Sequence, residues 1–134
     1  MLNKKKITVL ISAHEFSPYQ GSECAVGWNI ALGLAKKEEL NLIVLYASGS
    51  QNSPNSYRDA LLKYKKNHEM PSNITFYNVD QPKFTLFLHK INMFLFKSLG
   101  GLGLPVLYYF GYKLWQRKSF LKAKDICEYQ GVDL

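Results

Sequence analysis

The chain has 134 residues, 47% of them hydrophobic and 14% aromatic, so it is long and apolar enough to bury the core of one domain. This composition excludes an intrinsically disordered chain. Lysine and arginine outnumber aspartate and glutamate by 17 to 10, and the net charge of +7 favours phosphate-bearing ligands, nucleic acid or an anionic membrane surface as partners. Charge alone does not choose among these three classes.

Two strands and a helix are predicted first. The run from Ile7 to Ala13 is apolar or β-branched almost throughout, which is typical of a strand covered on both faces. A helix begins at Ser22 or Glu23, where a serine hydroxyl can cap it, and it is apolar on nearly all sides, as in a buried helix. Asn41 to Ala47 is a second apolar run and predicts a second parallel strand.

A second βα unit and a third strand follow. Ser53 and Pro54 predict the start of a polar surface helix that runs to about His68. Ile74 to Val79 predicts the third strand. The order β-α-β-α-β predicts an α/β domain with a Rossmann-like, doubly wound parallel sheet.

The segment from Phe84 to Tyr112 has two interpretations. Its phenylalanines and leucines are either core and cleft wall completed by other parts of the chain, or an interfacial patch that enters lipid headgroups. In the second interpretation, anionic lipids contact four lysines, namely Lys83, Lys90, Lys97 and Lys113. Polar residues interrupt the apolar stretches before they reach bilayer length, so no membrane span is predicted.

The end of the chain predicts a fourth strand. A last helix runs from about Val106 to Tyr129, and its predicted apolar face comprises Tyr112, Trp115, Phe120, Ala123, Ile126 and Cys127. It is followed by Gly131 and the apolar beginning Val132 to Leu134. In a doubly wound sheet the fourth strand flanks the first. We therefore expect residues 1–134 to form an N-terminal domain that stops before or within its fourth strand.

The loop from His14 to Glu23 carries the chemistry, because it lies at the carboxyl end of the first strand, where open α/β sheets bind ligands. Gly21 lets a ligand approach the backbone, and the helix start behind it offers free amides to an anion. Gly21 and Ser22 are thus predicted to bind a phosphate or diphosphate, with a plain turn glycine as the alternative. Neither G-x-G-x-x-G nor a loop ending in Gly-Lys-Ser/Thr is present.

The other polar residues of the loop are predicted to line the substrate. His14 and Glu15 are adjacent, and neighbouring residues leaving a strand point to different sides, so they do not form an acid/base pair. His14, Tyr19 and Gln20 are candidate lining residues. Glu23 either contacts a sugar hydroxyl or stabilises the first helical turn.

Metal and nucleic-acid sites are not predicted. His68 and His89 lack a Cys or His at ligand spacing, so no metal is expected. The lysines are scattered over several elements without a stacking motif, so no nucleic acid is expected. Cys24 and Cys127 occupy core positions of predicted helices, as reduced thiols of a cytoplasmic protein do.

Several segments together resemble the opening of a bacterial retaining family 4 glycosyltransferase with the GT-B fold. They are Glu15 to Glu23, Val26 to Asn29, Leu34 to Lys36, Tyr112 to Arg117 and Val132 to Leu134. The combination of Pro-Tyr-x-Gly-Ser-Glu with Gly-Trp-Asn is specific, whereas a lone glycine loop would not be. The resemblance covers most of the chain and is weakest between Ser50 and Leu104.

The resemblance implies two Rossmann-like domains that face a cleft. The N-terminal domain holds a glycan or lipid-linked acceptor, and the C-terminal domain holds a nucleotide-sugar donor whose diphosphate approaches the loop around Gly21. It implies sugar transfer with retention and without a metal. The family's acceptor-side histidine is expected beyond the fourth strand and its donor-binding residues in the second domain, so no catalytic residue is assigned here and these residues alone are expected to be inactive.

The predicted function is therefore that of a cytoplasmic glycosyltransferase domain that rests on the inner membrane face. A Rossmann-like nucleotide-binding module without sugar transfer is the alternative, but Tyr46 to Ser48 offers no acidic residue to a ribose. A membrane-associated interaction domain is the third hypothesis.

Overall fold

The computed structural model describes residues 6–50, 53–101 and 104–130. Its elements are β1 (Ile7–Ala13), α1 (Ser22–Ala35), β2 (Leu40–Ala47), α2 (Ser56–Asn67), β3 (Ile74–Val79), α3 (Lys83–Ser98) and α4 (Pro105–Gln130). The strands form one parallel sheet in the order β1-β2-β3. The predicted α/β class is confirmed, and the sheet is consistent with a Rossmann-like fold. The predicted fourth strand falls on residues that lie outside the described ones.

Helices cover both faces of the sheet, as a doubly wound arrangement requires. The hydroxyl of Ser12 in β1 lies 3.2 Å from that of Ser119 in α4. The Cβ of the next residue, Ala13, lies 3.5 Å from the position that a Cβ on Gly27 of α1 would occupy. Because successive strand residues point to opposite faces, α4 and α1 pack on opposite sides of the sheet.

The most completely buried strand is β2. Leu42 to Ala47 are all buried, whereas Ile7 in β1 is 62% exposed. Within the described residues β1 pairs with β2 alone, while β2 is flanked by β1 and β3. β1 meets α4 through Ser12 and α1 through Ala13, as a strand covered on both faces does, but it is less buried than β2 because it has one neighbouring strand among the described residues.

The loop after β1 is anchored to the core by Phe16, which is fully buried. Its ring centroid lies 5.3 Å from that of Trp28 and 5.8 Å from those of Tyr46 and Phe76. These residues come from α1, β2 and β3, so one side chain ties the loop to three elements. Aromatic pairs at these distances contribute about 0.5–1.5 kcal/mol beyond the area that they bury.

Helix α1 is less buried than its composition predicts. Val26 and Ile30 are exposed, because only one side of the helix meets the sheet. A Cβ on Gly27 would lie 3.4 Å from the Glu15 carbonyl oxygen, so close packing explains this glycine. A Cβ on Gly33 would meet no atom of the described residues within 4 Å, so the same explanation is wrong there.

Serine capping was also predicted wrongly. α1 begins at Ser22 itself with Gly21 as its N-cap, and α2 begins at Ser56 after Asn55. Neither start has a side-chain cap among the described residues. The first amides of α2 are instead satisfied by the backbone, since those of Tyr57 and Arg58 donate to the Ser48 carbonyl at 3.0 and 2.9 Å.

Helix α4 packs through the predicted face with one exception. The buried residues on that face are Trp115, Ser119, Ala123, Ile126 and Cys127. Phe120, which was predicted to lie on this face, is exposed. Ser119 is buried on the face instead. Cys24 and Cys127 are both buried and free, as predicted.

Candidate functional site

Gly21 has the backbone geometry that its predicted role requires. Its φ of +30° lies in the region that favours glycine, and a Cβ added there would meet no described atom within 4 Å. It is the N-cap of α1, and its carbonyl accepts the amide of Ala25 at 3.1 Å. The first-turn amides of α1 therefore point outward at the positive end of the helix, where an anion is favourably placed.

The loop holds this helix start next to the carboxyl edge of the sheet. The amide of Ala47, the last residue of β2, donates to the carbonyl of His14 at 3.4 Å. Further on, the Ser17 amide donates to the Cys24 carbonyl at 3.4 Å. The segment thus leaves the sheet edge and turns back onto the first turn of α1, so Gly21 and Ser22 lie where open parallel sheets bind ligands.

Two carboxyl groups lie beside this helix start. Burial raises the pKa of Glu15, and a hydrogen bond with Glu23 and repulsion from its charge raise it further. The pair favours a ligand with hydroxyl donors and opposes an anion that approaches both carboxylates. Burial raises the pKa of Tyr108 in α4, and the nearby charges of Glu15 and Glu23 raise it further.

His14 lies on the other side of the loop. Its ring centroid is 4.8 Å from that of Trp115 and 5.2 Å from that of Tyr112, both edge-on, and its Nε2 lies 3.3 Å from Gln81 Nε2. Burial lowers the pKa of this imidazole below its ordinary value. A neutral ring accepts the Gln81 amide, so His14 is held as a packing residue. The prediction that His14 and Glu15 point to different sides is confirmed.

Tyr19 turns toward α2 and away from His14. Its ring centroid lies 6.2 Å from that of Tyr64, and Lys63 Nζ lies 5.5 Å from its centre. Gln20 follows it and is exposed. The structure therefore brings Gly21, Ser22 and Glu23 together and leaves His14 and Tyr19 apart from them.

A cleft that was not predicted from the sequence lies at the carboxyl ends of β2 and β3. Its volume is about 350 Å³. It is lined by Ser48, Pro54, Asn55, Arg58, Asp80, Gln81, Lys83 and Leu86. A signal was present, because Ser48 and Asp80 directly follow the last residues of two parallel strands, and such positions meet at one sheet edge.

A larger cleft, of about 890 Å³, lies at the other end of the strands. Lys6, Glu39 and Asn73, which precede the three strands, are among its lining residues. Open parallel sheets bind ligands at their carboxyl ends, so the smaller cleft is the better candidate.

Gln81 connects the smaller cleft, at the carboxyl ends of β2 and β3, to His14. Its Nε2 donates to the Gly49 carbonyl at 3.0 Å, while its Oε1 is buried without a partner in the described part of the chain. A buried acceptor left unpaired costs about 1–3 kcal/mol, so a donor from a bound molecule would be stabilised there.

Comparison with known proteins identifies no relative. No family model, curated protein or solved structure matches the chain. Across residues 6–50, 53–101 and 104–130, no helix has the length and apolarity needed to cross a bilayer, and no cluster of three metal-ligating side chains occurs. The family resemblance of the loop therefore remains a prediction.

Proposed function

We propose that the chain is the acceptor-side domain of a retaining glycosyltransferase of the GT-B type. Such an enzyme transfers a sugar from a nucleotide-sugar donor to a glycan or lipid-linked acceptor. The observation that carries the proposal is the open, positive-φ Gly21 at the start of α1, beside the carboxyl edge of a parallel sheet. A donor diphosphate fits outward-pointing amides without a side chain in its path.

The remaining groups suit an acceptor and a sugar. Glu23 and Glu15 offer acceptor oxygens to sugar hydroxyls. In the second cleft, Arg58 and Lys83 offer positive charge and Asp80 negative charge, a combination suited to a polyhydroxylated or phosphorylated acceptor. His14 positions the loop and takes no part in proton transfer.

The alternative is a nucleotide-binding module that catalyses no transfer. A dinucleotide-binding sheet places a carboxylate after its second strand to hold a ribose. Here the carbonyl of Ser48, at that position, accepts two amides from α2, and the three residues Tyr46 to Ser48 are buried and carry no carboxylate. This observation disfavours dinucleotide binding.

The test uses the product of the complete reading frame and labelled UDP-, GDP- and dTDP-sugars, with transfer to lipid and glycan fractions as the readout. Gly21→Ala is expected to lower turnover about tenfold or more, because a methyl group strains this backbone and narrows the diphosphate approach; such strain costs about 1–3 kcal/mol.

Gly33→Ala is the matched control in the same helix, because a Cβ there would meet no described atom within 4 Å and the backbone is helical. This variant should retain full turnover. Absence of transfer from every nucleotide sugar would overturn the proposed function. Full activity of Gly21→Ala would overturn the role given to the loop.

A further inference from the structure

Helix α3 carries an apolar stripe that the described residues leave exposed. Phe84, Phe87, Ile91 and Phe94 recur at helical spacing and share one side of the helix. They are 36% to 69% exposed. The buried residues of α3, Thr85 and Leu88, lie on another side. The stripe is therefore not part of the core.

The stripe continues onto the first turns of α4. The ring of Phe84 lies 6.1 Å from that of Phe87 and 6.5 Å from that of Phe110. Next to Phe110, Val106 and Tyr109 are also exposed. We call the combined set the aromatic surface; it comprises Phe84, Phe87, Ile91, Phe94, Val106, Tyr109 and Phe110. A continuous exposed apolar patch on this scale marks an interaction site.

Every Asp, Glu, Lys or Arg in residues 81–124, the sequence interval that contains the aromatic surface, is a lysine or arginine. No aspartate or glutamate lies between Asp80 and Asp125, and this interval holds eight of the 17 lysines and arginines, which leaves nine to balance all 10 acidic residues. The excess charge of the chain therefore lies in this interval, and three of its lysines are on α3. Lys83, Lys90 and Lys97 are exposed at intervals of about two helical turns, along the border of the stripe.

The aromatic surface projects beyond the sheet. Trp115 Nε1 donates to the carbonyl of Val79 at the carboxyl end of β3, and Ser119, one turn later, reaches Ser12. Moving backward along α4 therefore leads away from the sheet. The segment from Pro105 to Trp115 is about 15 Å long at 1.5 Å per residue, so the exposed residues of its first turns lie away from the sheet.

We propose that the aromatic surface docks on an anionic membrane surface. α3 lies in the headgroup plane, its phenylalanines enter the acyl boundary, and Lys83, Lys90 and Lys97 contact lipid phosphates. A second copy of the chain is a poorer occupant, since an isologous contact would bring the same lysines together. The proposal is independent of sugar transfer, because it concerns a different surface and a different ligand.

The test is flotation of the chain with vesicles of phosphatidylcholine, with and without phosphatidylglycerol. Binding is expected only with phosphatidylglycerol. Lys90→Gln with Lys97→Gln should weaken it about fivefold for each lysine replaced. The double variant Phe87→Ser with Phe94→Ser should weaken vesicle binding about tenfold or more. Both double variants should remain folded, because all four replaced side chains are exposed.

Matched controls lie elsewhere on the chain. Phe120→Ser removes an exposed phenylalanine outside the aromatic surface, and Lys37→Gln with Lys66→Gln removes two exposed lysines from other elements. Neither control should change flotation. Equal binding to both vesicle types, absence of binding, or equal loss in the controls would overturn the proposal. The proposal would also be overturned if sedimentation velocity showed that the chain self-associates without lipid and that Phe87→Ser with Phe94→Ser abolishes this association.

Discussion

At the scale of single residues, His14 shows how burial decides the role of a titratable group. Its ring packs edge-on against Tyr112 and Trp115, and the Gln81 amide contacts it. Burial lowers the pKa of the folded imidazole, so the unfolded chain binds a proton more readily than the folded one. The stability that this site contributes is therefore present above the unfolded pKa of about 6.5 and is lost as pH falls through the folded pKa.

His14→Phe should remove this pH dependence, because phenylalanine keeps the ring contacts and cannot be protonated. The free energy of unfolding of the wild type should fall relative to the variant between about pH 7 and 5. Each unit between the folded and unfolded pKa corresponds to about 1.4 kcal/mol, reduced by the partial exposure of the ring. Urea unfolding at several pH values measures the difference. A constant difference across this range would contradict a buried neutral His14.

Only part of the candidate site could be predicted from single residues. The turn glycine at Gly21 and the split between His14 and Glu15 follow from local rules, and the structure agrees with both. Phe16 packs against side chains of α1, β2 and β3, and His14 contacts Gln81. These partners are distant in sequence and meet only in the folded chain. No local pattern contains that information.

At the scale of elements, β1 and β3 have the predicted bounds, because strand ends coincide with turn residues that the sequence shows directly. The faces of the helices were predicted less well. In α1 the apolar composition is nearly uniform, so it does not reveal that Val26 and Ile30 face away from the sheet. In α4 the helical pattern allows either Ser119 or Phe120 to face the sheet. The contact of Ser119 with Ser12 shows that Ser119 does so.

Trp115 joins α4 to the sheet, so its replacement should loosen that contact. Its indole donates a buried hydrogen bond of 3.0 Å to the Val79 carbonyl. Trp115→Phe retains an aromatic ring but leaves this carbonyl unpaired, which should lower the free energy of unfolding by about 1–3 kcal/mol. Urea unfolding followed by circular dichroism measures the change.

Phe120→Leu is the control for this variant on the same helix. Phe120 is exposed, so the free energy of unfolding should change by no more than about 0.5 kcal/mol. If Trp115→Phe is as stable as the wild type, the hydrogen bond to Val79 does not stabilise the attachment of α4.

At the scale of the whole molecule, burial and charge are unevenly distributed. β2 lies at the centre and is almost completely buried, while the excess positive charge lies in the part of the chain that forms α3 and most of α4. The order of elements could be predicted, because each βα unit has its own pattern. The position of the best-buried strand could not, because it depends on which strands have two neighbours.

Amide hydrogen exchange of the intact chain should follow this distribution. The amides of β2 should exchange most slowly, since local opening there requires the sheet and the helices on both faces to separate. β1 donates hydrogen bonds toward β2 alone among the described residues, so its outward amides should exchange about a hundredfold faster. Equal protection of β1 and β2 would contradict this ranking, and it would mean that the outer edge of β1 is paired in solution.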